Sequence, residues 1–529
     1  MSIQEAKVAR FKDLQNGQMM QVKVGDTEIL LARHEDQYYA TSAHCTHYGA
    51  PLAKGALNGN RLVCPWHHAC FDITNGDQME PPGCDSLQHF EVEVRGEDVY
   101  AKVPKGAPAQ RMVAMQKQSA DDQRKFVIIG GGAAAQYAAE ALRAEGFGGQ
   151  LIMISKDKDY PYDRVNCSKE YLQGEAPEEW MPLRDAGFYE KYDIDLKIET
   201  TVTELDVNQK KIRTDKGEEI SYDKVLVCTG GAVRQLEVPG SELKNVFTLR
   251  SLADSSRIQQ AAKKATKAVV VGSSFIGMEG AWSLSQLGCE VTVVSPEKLP
   301  FASKWGDEVG SMLKSLHEEQ GIRFKMQTQV KGIEGQGQVQ SVQLDNGESV
   351  EADLVLAGIG VQPATSFIKG LPLEDDGGIR VDEKLYAGQD VYAAGDVAHF
   401  PYKGMTVRIE HWRLACQHGR LAGENMAGRD KPYTSVPFFW TAQQGQQLRY
   451  IGYAPFYDRI VIDGKLEEKK FIAYYILDGM VKAALGLNRD QEMAALHELI
   501  RTDRVPPVKD LEKHQIDLRE HLFQLAEID

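Results

Sequence analysis

Residues 1–103 alternate apolar and polar positions in short runs that Gly and Asn interrupt. The runs cover 20–24, 28–32, 37–40, 90–94 and 99–103. An alternation with period two is typical of half-buried strands, and Gly and Asn between the runs favour tight antiparallel turns. The pattern therefore predicts a small all-β domain at the amino terminus.

At Phe126 the pattern changes to an apolar strand, a Gly-rich turn and a helix. The strand and turn occupy 126–135, the helix runs to about 145, and a second strand covers 150–155. The same order recurs over 268–294. Because this order of elements forms a dinucleotide-binding unit, the sequence predicts two Rossmann-like α/β domains.

The end of the chain has a third pattern. Residues 436–487 contain several short strands, of which 438–440 is the most apolar, and a helix is expected near 489–502. This mixture predicts a C-terminal α+β domain. Residues 104–125 contain Pro, Gly, Gln, Ser and a charge cluster without an apolar period, which predicts a linker.

Length, charge and cysteine content narrow the class of protein. A chain of 529 residues is too long for one core and indicates several domains. The net charge of −15 disfavours binding to nucleic acid; it suits solubility and gives a weak indication of a basic electron-accepting partner. No apolar run is long enough for a membrane span, and residues 1–14 lack a signal-peptide core. Eight scattered cysteines favour a reducing compartment, so we expect a cytoplasmic protein.

Two short motifs predict a metal centre. Cys45 and His47 form a Cys-x-His motif, and after sixteen intervening residues Cys64 and His67 form a Cys-x-x-His motif. Two thiolates and two imidazoles from two loops are the ligand set of a Rieske [2Fe–2S] cluster, in which the two imidazoles bind one iron. Structural zinc is the alternative, although zinc fingers usually keep two cysteines in one knuckle. We expect the two imidazoles to form the exposed edge of the cluster.

The motifs in this order resemble a known family. Residues 1–103 resemble a Rieske ferredoxin domain, and 126–529 resemble the flavin-dependent ferredoxin reductases of the glutathione-reductase fold. The whole chain resembles the apoptosis-inducing-factor-like proteins that carry an N-terminal Rieske domain. High-potential Rieske proteins have an extra Cys in each loop, whereas the corresponding positions here are Ala50 and Trp66. The resemblance therefore implies a low-potential cluster together with FAD and NADH.

The resemblance divides the chain into a multidomain protein: an N-terminal all-β Rieske domain, two Rossmann-like α/β domains for FAD and NAD, and a C-terminal α+β domain. The expected boundaries are 1–103 for the Rieske domain, 104–125 for the linker, 126–250 and 383–431 for the FAD-binding domain, 251–382 for the NAD-binding domain, and 432–529 for the C-terminal interface domain.

The first Gly-rich turn supplies Gly130 and Gly132, with Ala135 in the third place, where a small residue permits close packing of helix and strand. Many relatives have an acid at the end of the following strand. Here either Lys156 or Asp157 is expected to bind the adenosine ribose, and the choice between them stays open.

The resemblance also implies which residues lie at the flavin ring. Lys169 is expected near the flavin N5 edge, paired with Glu279 from the second Gly-rich helix, as the catalytic pair. Asp396, at the end of an apolar strand, is expected to accept hydrogen bonds from the ribityl hydroxyls. The other expected cofactor-binding residues are Arg164, Val202, Thr229, Gly230, Arg234, Gly360 and Trp412, with Trp412 at the ring edge.

The second Gly-rich turn carries Gly272 and Gly277, with Ser274 in place of the middle glycine. The strand that follows ends near Glu297, and an acid there suits the free 2′-hydroxyl of NADH, whereas a 2′-phosphate calls for Arg. NADH is therefore favoured over NADPH, although the neighbouring Lys298 argues partly the other way.

These predictions combine into one hypothesis: NADH reduces FAD, which passes single electrons to the Rieske cluster of the same chain and on to a ferredoxin, a cytochrome or an oxygenase. One alternative is a reductase of disulfides, peroxide or oxygen that uses Cys167, two residues before Lys169. Another is a non-catalytic, NADH-responsive redox-signalling protein. The sequence leaves open whether the chain forms a homo-oligomer and whether the linker lets the Rieske domain swing.

Overall fold

A computed structural model describes residues 2–514 and 516–526. The chain divides into two compact units. The first contains the described parts of 1–114, 434–440 and 448–529, and the second contains 115–433 and 441–447. The predicted fold class is confirmed, since an all-β domain is followed by two α/β domains and an α+β domain.

The amino-terminal part of the first unit contains two antiparallel sheets. In spatial order, the strands of the larger sheet are Ile3–Arg10, Asp98–Pro104, His89–Arg95, Gln37–Ser42, Thr27–His34 and Met19–Val24. Those of the smaller sheet are Ala56–Asn58, Arg61–Val63, Cys70–Asp72 and Gln78–Glu80. Loops 43–51 and 64–69 carry the predicted cluster ligands, and Leu52, Leu62 and Phe71 are fully buried around them.

The predicted linker is partly structured. Strand Gln110–Arg111 pairs antiparallel with Ser86–Leu87 of the amino-terminal domain, and the boundary between the two units falls after Ala114. The absence of an apolar period hid this pairing, because a two-residue strand at an edge needs no buried face. The first half of the predicted linker 104–125 thus contains a short strand, and the linker itself stays a prediction.

The C-terminal α+β domain belongs to the first unit except for 441–447, the end of its first strand and the start of its second, which belong to the second unit. In spatial order, its five strands are Phe438–Gln443, Gln446–Gly452, Met480–Leu487, Lys470–Leu477 and Arg459–Lys465. Its helices are Asp490–Arg501, Val508–Leu511 and Leu518–Ala526. The strands read as apolar because most positions of Lys470–Leu477 are buried, and the helix predicted near 489–502 is confirmed as Asp490–Arg501.

Two mainly parallel sheets organise the second unit. The first contains Ile194–Lys197, Gln150–Ile154, Lys125–Ile129, Lys224–Val227, Val391–Ala393 and Tyr386–Gly388, of which only the last pair is antiparallel. The second contains Val246–Thr248, Leu354–Ala357, Lys267–Val271, Glu290–Ser295 and Arg323–Met326, all parallel. In both sheets the Gly-rich turn follows the carboxyl end of a central strand, where open α/β sheets bind their ligands.

The remaining elements of the second unit surround these sheets. Its α-helices are Ala133–Ala144, Glu170–Gln173, Ala186–Lys191, Leu252–Ala262, Phe275–Gln286, Ala302–Trp305, Asp307–Glu318 and Trp412–Ala427. Its smaller sheets use Val202–Asp206, Lys211–Thr214, Glu219–Ser221 and Ile368–Lys369; Gly231–Val233 and Val361–Pro363; Val330–Glu334, Ser341–Leu344 and Ser349–Glu351; and Ile379–Arg380, Ala398–Tyr402 and Met405–Val407. Within the described ranges, no helix is both long and apolar enough to cross a membrane.

Candidate redox centres

The four predicted cluster ligands converge at the tips of two loops. Each loop closes on itself, because Cys45 N–H donates to the carbonyl of Ala50 at 2.9 Å and Cys64 N–H donates to the carbonyl of Ala69 at 2.9 Å. Both thiols are buried. The Nδ1 atoms of His47 and His67 face each other at 3.1 Å. The two imidazoles thus face each other, and the thiols of Cys45 and Cys64 form a hydrogen-bonded pair.

The chemistry of these donors fits a metal cluster. Burial lowers the pKa of His47 to about 3, so its imidazole is neutral, as a metal ligand must be. Burial alone would raise the pKa of Cys64, but a hydrogen bond with Cys45, the amides of Trp66 and His67, and the charge of Arg449 lower it. A thiol whose anion is favoured in this way suits Fe–S ligation.

The expectation that both imidazoles form an exposed edge was wrong. His67 is only 8% exposed, because the ring of Trp440 lies 4.2 Å from it, centroid to centroid. Tyr48 stacks on His47 at 3.8 Å with an interplanar angle of 12°, and Tyr48 itself is 43% exposed. One imidazole is therefore covered by the C-terminal domain, and the other lies behind an exposed aromatic ring.

A buried arginine of the C-terminal domain supports the second ligand loop. Arg449 Nε donates to the carbonyl of Trp66 at 2.8 Å, and its Nη1 lies 2.6 Å from the carboxylate of Asp490. Sequence analysis missed Arg449, because an arginine inside a strand belongs to no motif. The available signal was a charge between two buried apolar positions, Leu448 and Tyr450, which in a buried strand requires a specific partner.

A second buried cation, Arg61, lies between the amino-terminal domain and helix Asp490–Arg501. Cys70, His497 and Glu498 lie close enough together to suggest a metal site. However, Arg61 donates to Cys70 Sγ at 3.0 Å and to Glu498 Oε1 at 2.8 Å, and it also pairs with Glu80. The guanidinium already supplies the positive charge that a metal ion would bring, so this cluster is an ion-pair network.

The first Gly-rich turn fits a pyrophosphate. Gly130 has φ of +145°, and a Cβ there would lie 2.3 Å from the carbonyl of Cys228. A Cβ on Gly132, by contrast, would meet nothing within 4 Å, and no side chain caps the helix Ala133–Ala144 that begins there. The first amides of this helix therefore face open space, as phosphate binding requires. Ala135 is fully buried in the helix, consistent with close packing.

The two candidates for the adenosine ribose differ in their surroundings. Lys156 is exposed, whereas Asp157 is half-buried. Asp157 Oδ2 accepts hydrogen bonds from Arg164 Nη2 at 2.9 Å and from the Tyr162 hydroxyl at 3.3 Å. Arg164 Nη1 in turn donates to the carbonyl of Arg250 at 2.5 Å. The Arg164 guanidinium is therefore fixed by bonds to Asp157 and to the carbonyl of Arg250, whereas the Lys156 side chain is exposed to solvent.

Asp396, predicted to bind the ribityl chain, accepts a hydrogen bond from Arg250 Nη2 at 2.9 Å. Gly230 lies beside this pair, since a Cβ on it would be 2.8 Å from Arg250 Nη2. Thr229 uses its hydroxyl to donate to the carbonyl of Ala364 at 2.7 Å. Sequence analysis missed Arg250, which belongs to no motif.

The predicted catalytic pair is assembled from residues that are far apart in the sequence. Lys169 Nζ donates to Glu279 Oε2 at 2.8 Å, and the Ser168 hydroxyl donates to the same oxygen at 2.6 Å. The other oxygen, Oε1, accepts from the Thr441 hydroxyl at 2.6 Å. Lys169 and Glu279 are 5% and 3% exposed. A buried ammonium and carboxylate in contact form a fixed dipole.

The second Gly-rich turn is as tight as the first. A Cβ on Gly272, whose φ is +107°, would lie 2.4 Å from the carbonyl of Gly358, and a Cβ on Gly277 would lie 2.2 Å from the carbonyl of Gly272. Glu297 is exposed at the end of the next strand. Lys298 lies 2.6 Å from the carboxylate of Asp307, so an acid of its own domain already pairs with it. The arrangement favours NADH.

The other predicted positions are spread along the second unit. Val202 is buried at the start of its strand. Arg234 and Gly360 are exposed and joined by a backbone hydrogen bond of 3.0 Å. Trp412 is half-buried and begins the helix Trp412–Ala427. Cys167 is 2% exposed, and burial raises the pKa of its thiol to about 12.

Comparisons with known proteins agree with this geometry. Residues 4–91 match the Rieske [2Fe-2S] domain, and residues 438–522 match the reductase C-terminal domain. Apoptosis-inducing factor 3 of Homo sapiens is 36% identical over 522 residues, which cover 96% of this chain and 86% of that protein. The ferredoxin–NAD(+) reductase component of the anthranilate 1,2-dioxygenase system of Burkholderia cepacia is 32% identical over 75% of this chain and 99% of its own length.

Solved structures show the same relationship. The covalent putidaredoxin reductase–putidaredoxin complex matches with a TM-score of 0.71 and 28% identity, covering 77% of this chain and 99% of that chain. The ferredoxin reductase for the CYP199A2 system from Rhodopseudomonas palustris matches with a TM-score of 0.71 and 28% identity, covering 75% and 99%. The model of the pyridine nucleotide-disulphide oxidoreductases matches residues 124–419, more than half of the chain. The chain therefore belongs to the pyridine nucleotide-disulphide oxidoreductase family, with a Rieske [2Fe-2S] domain before the matched region and a reductase C-terminal domain after it.

Proposed function

We propose that this chain is an NADH-dependent flavoprotein oxidoreductase that passes electrons from NADH through FAD to its own Rieske cluster and then to an external acceptor. One observation carries the proposal. The same chain holds the converging Cys45, His47, Cys64 and His67 donors and, in its other unit, two dinucleotide-binding turns with the buried Lys169–Glu279 pair. A flavin site alone would not need the iron ligands, and a ferredoxin alone would not need the nucleotide sites.

Different residues of the second unit would serve the pyrophosphate and the ring of FAD. When bound, FAD takes two electrons together from NADH and releases them singly, and the [2Fe–2S] cluster takes up one at a time. Gly130 and Gly132 let the amides of helix Ala133–Ala144 approach the pyrophosphate. Lys169 provides a positive charge whose direction Glu279 fixes, which favours negative charge on a reduced ring placed beside it.

The two ligand loops already place the side chains that would hold the cluster. His47, which burial keeps neutral, and His67 would hold one iron and Cys45 and Cys64 the other; the Nδ1 atoms of the two imidazoles already face each other. Trp440 excludes water from His67. Tyr48 is the exposed ring closest to His47, so the surface around it is available to an acceptor.

The test is an anaerobic titration of the full-length protein, loaded with FAD and cluster, with NADH. We expect the flavin absorbance to bleach and the electron paramagnetic resonance spectrum of a reduced Rieske centre to appear together. Cys64→Ser should keep the bleaching and lose the resonance signal. Bleaching of the wild-type flavin while its cluster stays oxidised would refute the internal transfer.

The proposal also covers which protein accepts the electrons, in which compartment the protein works, and whether it forms an oligomer. The names of the relatives support a ferredoxin as the acceptor, and a cytochrome or an oxygenase stays a prediction. Buried cysteines such as Cys167 and Cys228 support a reducing, cytoplasmic compartment. A homo-oligomer stays a prediction, and light scattering of the loaded protein would test it.

The reductase that would use Cys167 is less well supported. A redox thiol acts as the thiolate and needs access to its substrate. Burial raises the pKa of Cys167 to about 12, and its side chain is almost fully enclosed. Both properties oppose attack on a disulfide or a peroxide.

A further inference from the structure

A chain of hydrogen bonds leads from a buried histidine to the Lys169–Glu279 pair. It begins at His317 on helix Asp307–Glu318 and passes through Gln443 and Thr441, which belong to the same unit. His317 Nε2 lies 2.9 Å from Gln443 Oε1, and Gln443 Nε2 lies 2.8 Å from Thr441 Oγ1. None of these three side chains was singled out by the sequence, because none belongs to a nucleotide-binding motif.

All the hydrogen bonds of this chain run in one direction, from His317 towards Glu279. Burial lowers the pKa of His317 to about 4, so its ring is neutral and has one donor nitrogen and one acceptor nitrogen. Gln444 Nε2 can only donate and lies 3.1 Å from His317 Nδ1, so Nδ1 accepts and Nε2 carries the hydrogen. His317 therefore donates to Gln443, Gln443 donates to Thr441, and the Thr441 hydroxyl must donate to Glu279 Oε1.

The last link fixes the orientation of the carboxylate. Lys169 and Ser168 donate to Oε2 of Glu279, and Thr441 donates to Oε1, so each oxygen is held from a different side. Thr441, Gln443 and His317 are each at most 1% exposed, so water cannot replace any of these bonds. Without Thr441, the carboxylate could rotate about its last bond and carry the ammonium with it.

We infer that Thr441, Gln443 and His317 are positioning residues that hold Glu279, and through it Lys169, in the geometry required for reduction of FAD by NADH. The inference rests on the first step of the proposed function and does not involve the cluster. Groups that orient metal ligands from outside are worth about 10–100-fold in affinity or activity, and we take that range as the scale for groups that orient this ion pair. We expect the lower end here, because Ser168 and Lys169 still hold one oxygen.

The experiment compares Thr441→Val with Thr441→Ser in the full-length protein loaded with FAD. Valine has nearly the same shape and lacks the donor, whereas serine keeps it. Thr441→Val should slow anaerobic flavin reduction by saturating NADH about tenfold. It should also lower the flavin midpoint potential by about 30 mV, the equivalent of a tenfold change for a two-electron couple. The dissociation constant of NADH should change less than about twofold, and Thr441→Ser should behave like the wild type.

Two further comparisons separate positioning from simple loss of packing. Thr365→Val removes another buried hydroxyl of the same unit, which donates to the carbonyl of Gly377 at 2.6 Å, and it should leave the rate and the potential unchanged. His317→Gln keeps a donor for Gln443, whereas His317→Leu removes it. Should Thr441→Val fail to fold, this second pair provides the same test, with slower reduction expected only in His317→Leu.

Nitrogen NMR of the wild type should show the neutral His317 ring protonated at Nε2. A charged ring or the opposite tautomer would overturn the direction of the chain. Wild-type rate and potential in Thr441→Val, or equal loss in Thr441→Val and Thr441→Ser, would overturn the positioning role. A cluster that stays oxidised would count against the proposed function alone, because all these readings are taken on the flavin and on His317.

Discussion

Replacement of Arg61 by Met tests what holds the Rieske domain against the C-terminal helix. The guanidinium bonds Glu498 and Cys70 and pairs with Glu80, and the side chains of Arg61 and Glu498 are 10% and 0% exposed. Removing one partner of a buried ion pair typically costs about 3–5 kcal/mol. We expect about 3 kcal/mol, because Arg501, at 2.7 Å, still pairs with Glu498.

The assay is amide hydrogen exchange at rising urea concentration, followed in strand Arg61–Val63 and in helix Asp490–Arg501, because local exchange reports one region of a multidomain chain. The double variant Arg61→Met/Glu498→Met should lose less than the sum of the two single variants, since two apolar groups can pack where one unpaired charge cannot. Arg111→Met is the matched control: it removes an exposed ion pair with Asp77 and should cost less than about 1 kcal/mol.

The pH dependence of stability provides a second test of the Arg61–Glu498 ion pair. Burial alone would raise the pKa of Glu498, but the hydrogen bond from His497 and the charge of Arg61 hold it well below its ordinary value. Such a carboxyl stabilises the folded state above its unfolded pKa of about 4.3, and this contribution is lost as the pH falls through the folded value. The wild type should therefore lose more stability than Arg61→Met on acidification below about pH 4.3. Equal acid sensitivity, or a cost below about 0.5 kcal/mol, would refute the reasoning.

Three more outcomes follow from the redox centres. Cys64→Ser should purify with FAD and without the iron cluster, as iron analysis will show; iron retained at the wild-type level would exclude Cys64 as a ligand. Cys167→Ser should reduce its flavin with NADH within about twofold of the wild type, because a buried thiol of high pKa supplies no thiolate, and abolished turnover would instead favour the disulfide or peroxide reductase. Arg449→Met removes a buried cation beside Cys64 and should lower the cluster midpoint potential by about 60 mV, a tenfold change for one electron. Arg459→Met, which removes an exposed cation, should leave the potential unchanged. Equal potentials in both variants would contradict a role for the charge of Arg449.

Patterns within short stretches of the sequence predicted most of the fold. Period-two runs predicted the antiparallel strands of the Rieske domain, and the two Gly-rich turns predicted the parallel sheets, because both signals depend on neighbours in the sequence. The Cys-x-His and Cys-x-x-His motifs likewise predicted four donors that the structure brings together. The two-residue pairing at Gln110–Arg111 left no such signal, because edge strands need neither length nor an apolar face.

Contacts between distant segments could not be predicted. Arg449, Glu498 and Thr441 lie in stretches that are typical of ordinary strand or helix, and each acquires its role only through a partner at least 162 residues away. The same reason explains why His67 was expected at an exposed edge: its own loop gives no indication that Trp440 covers it. Spacing within a motif predicts ligands, whereas the shielding of those ligands depends on tertiary packing.

The bond between Arg61 and Glu498 joins positions 437 residues apart in the sequence. During synthesis at 5–20 residues per second, roughly 20–90 s pass between the appearance of the arginine and that of its carboxylate on the ribosome. Until Arg449 has been made, the nascent domain that carries the predicted cluster ligands lacks both buried arginine contacts, and until Glu498 has been made it still lacks one. Cluster insertion before translation ends would therefore occur in a less supported domain. A chain truncated ahead of helix Asp490–Arg501 would keep all four predicted cluster ligands while losing the carboxylates that pair with Arg61 and Arg449.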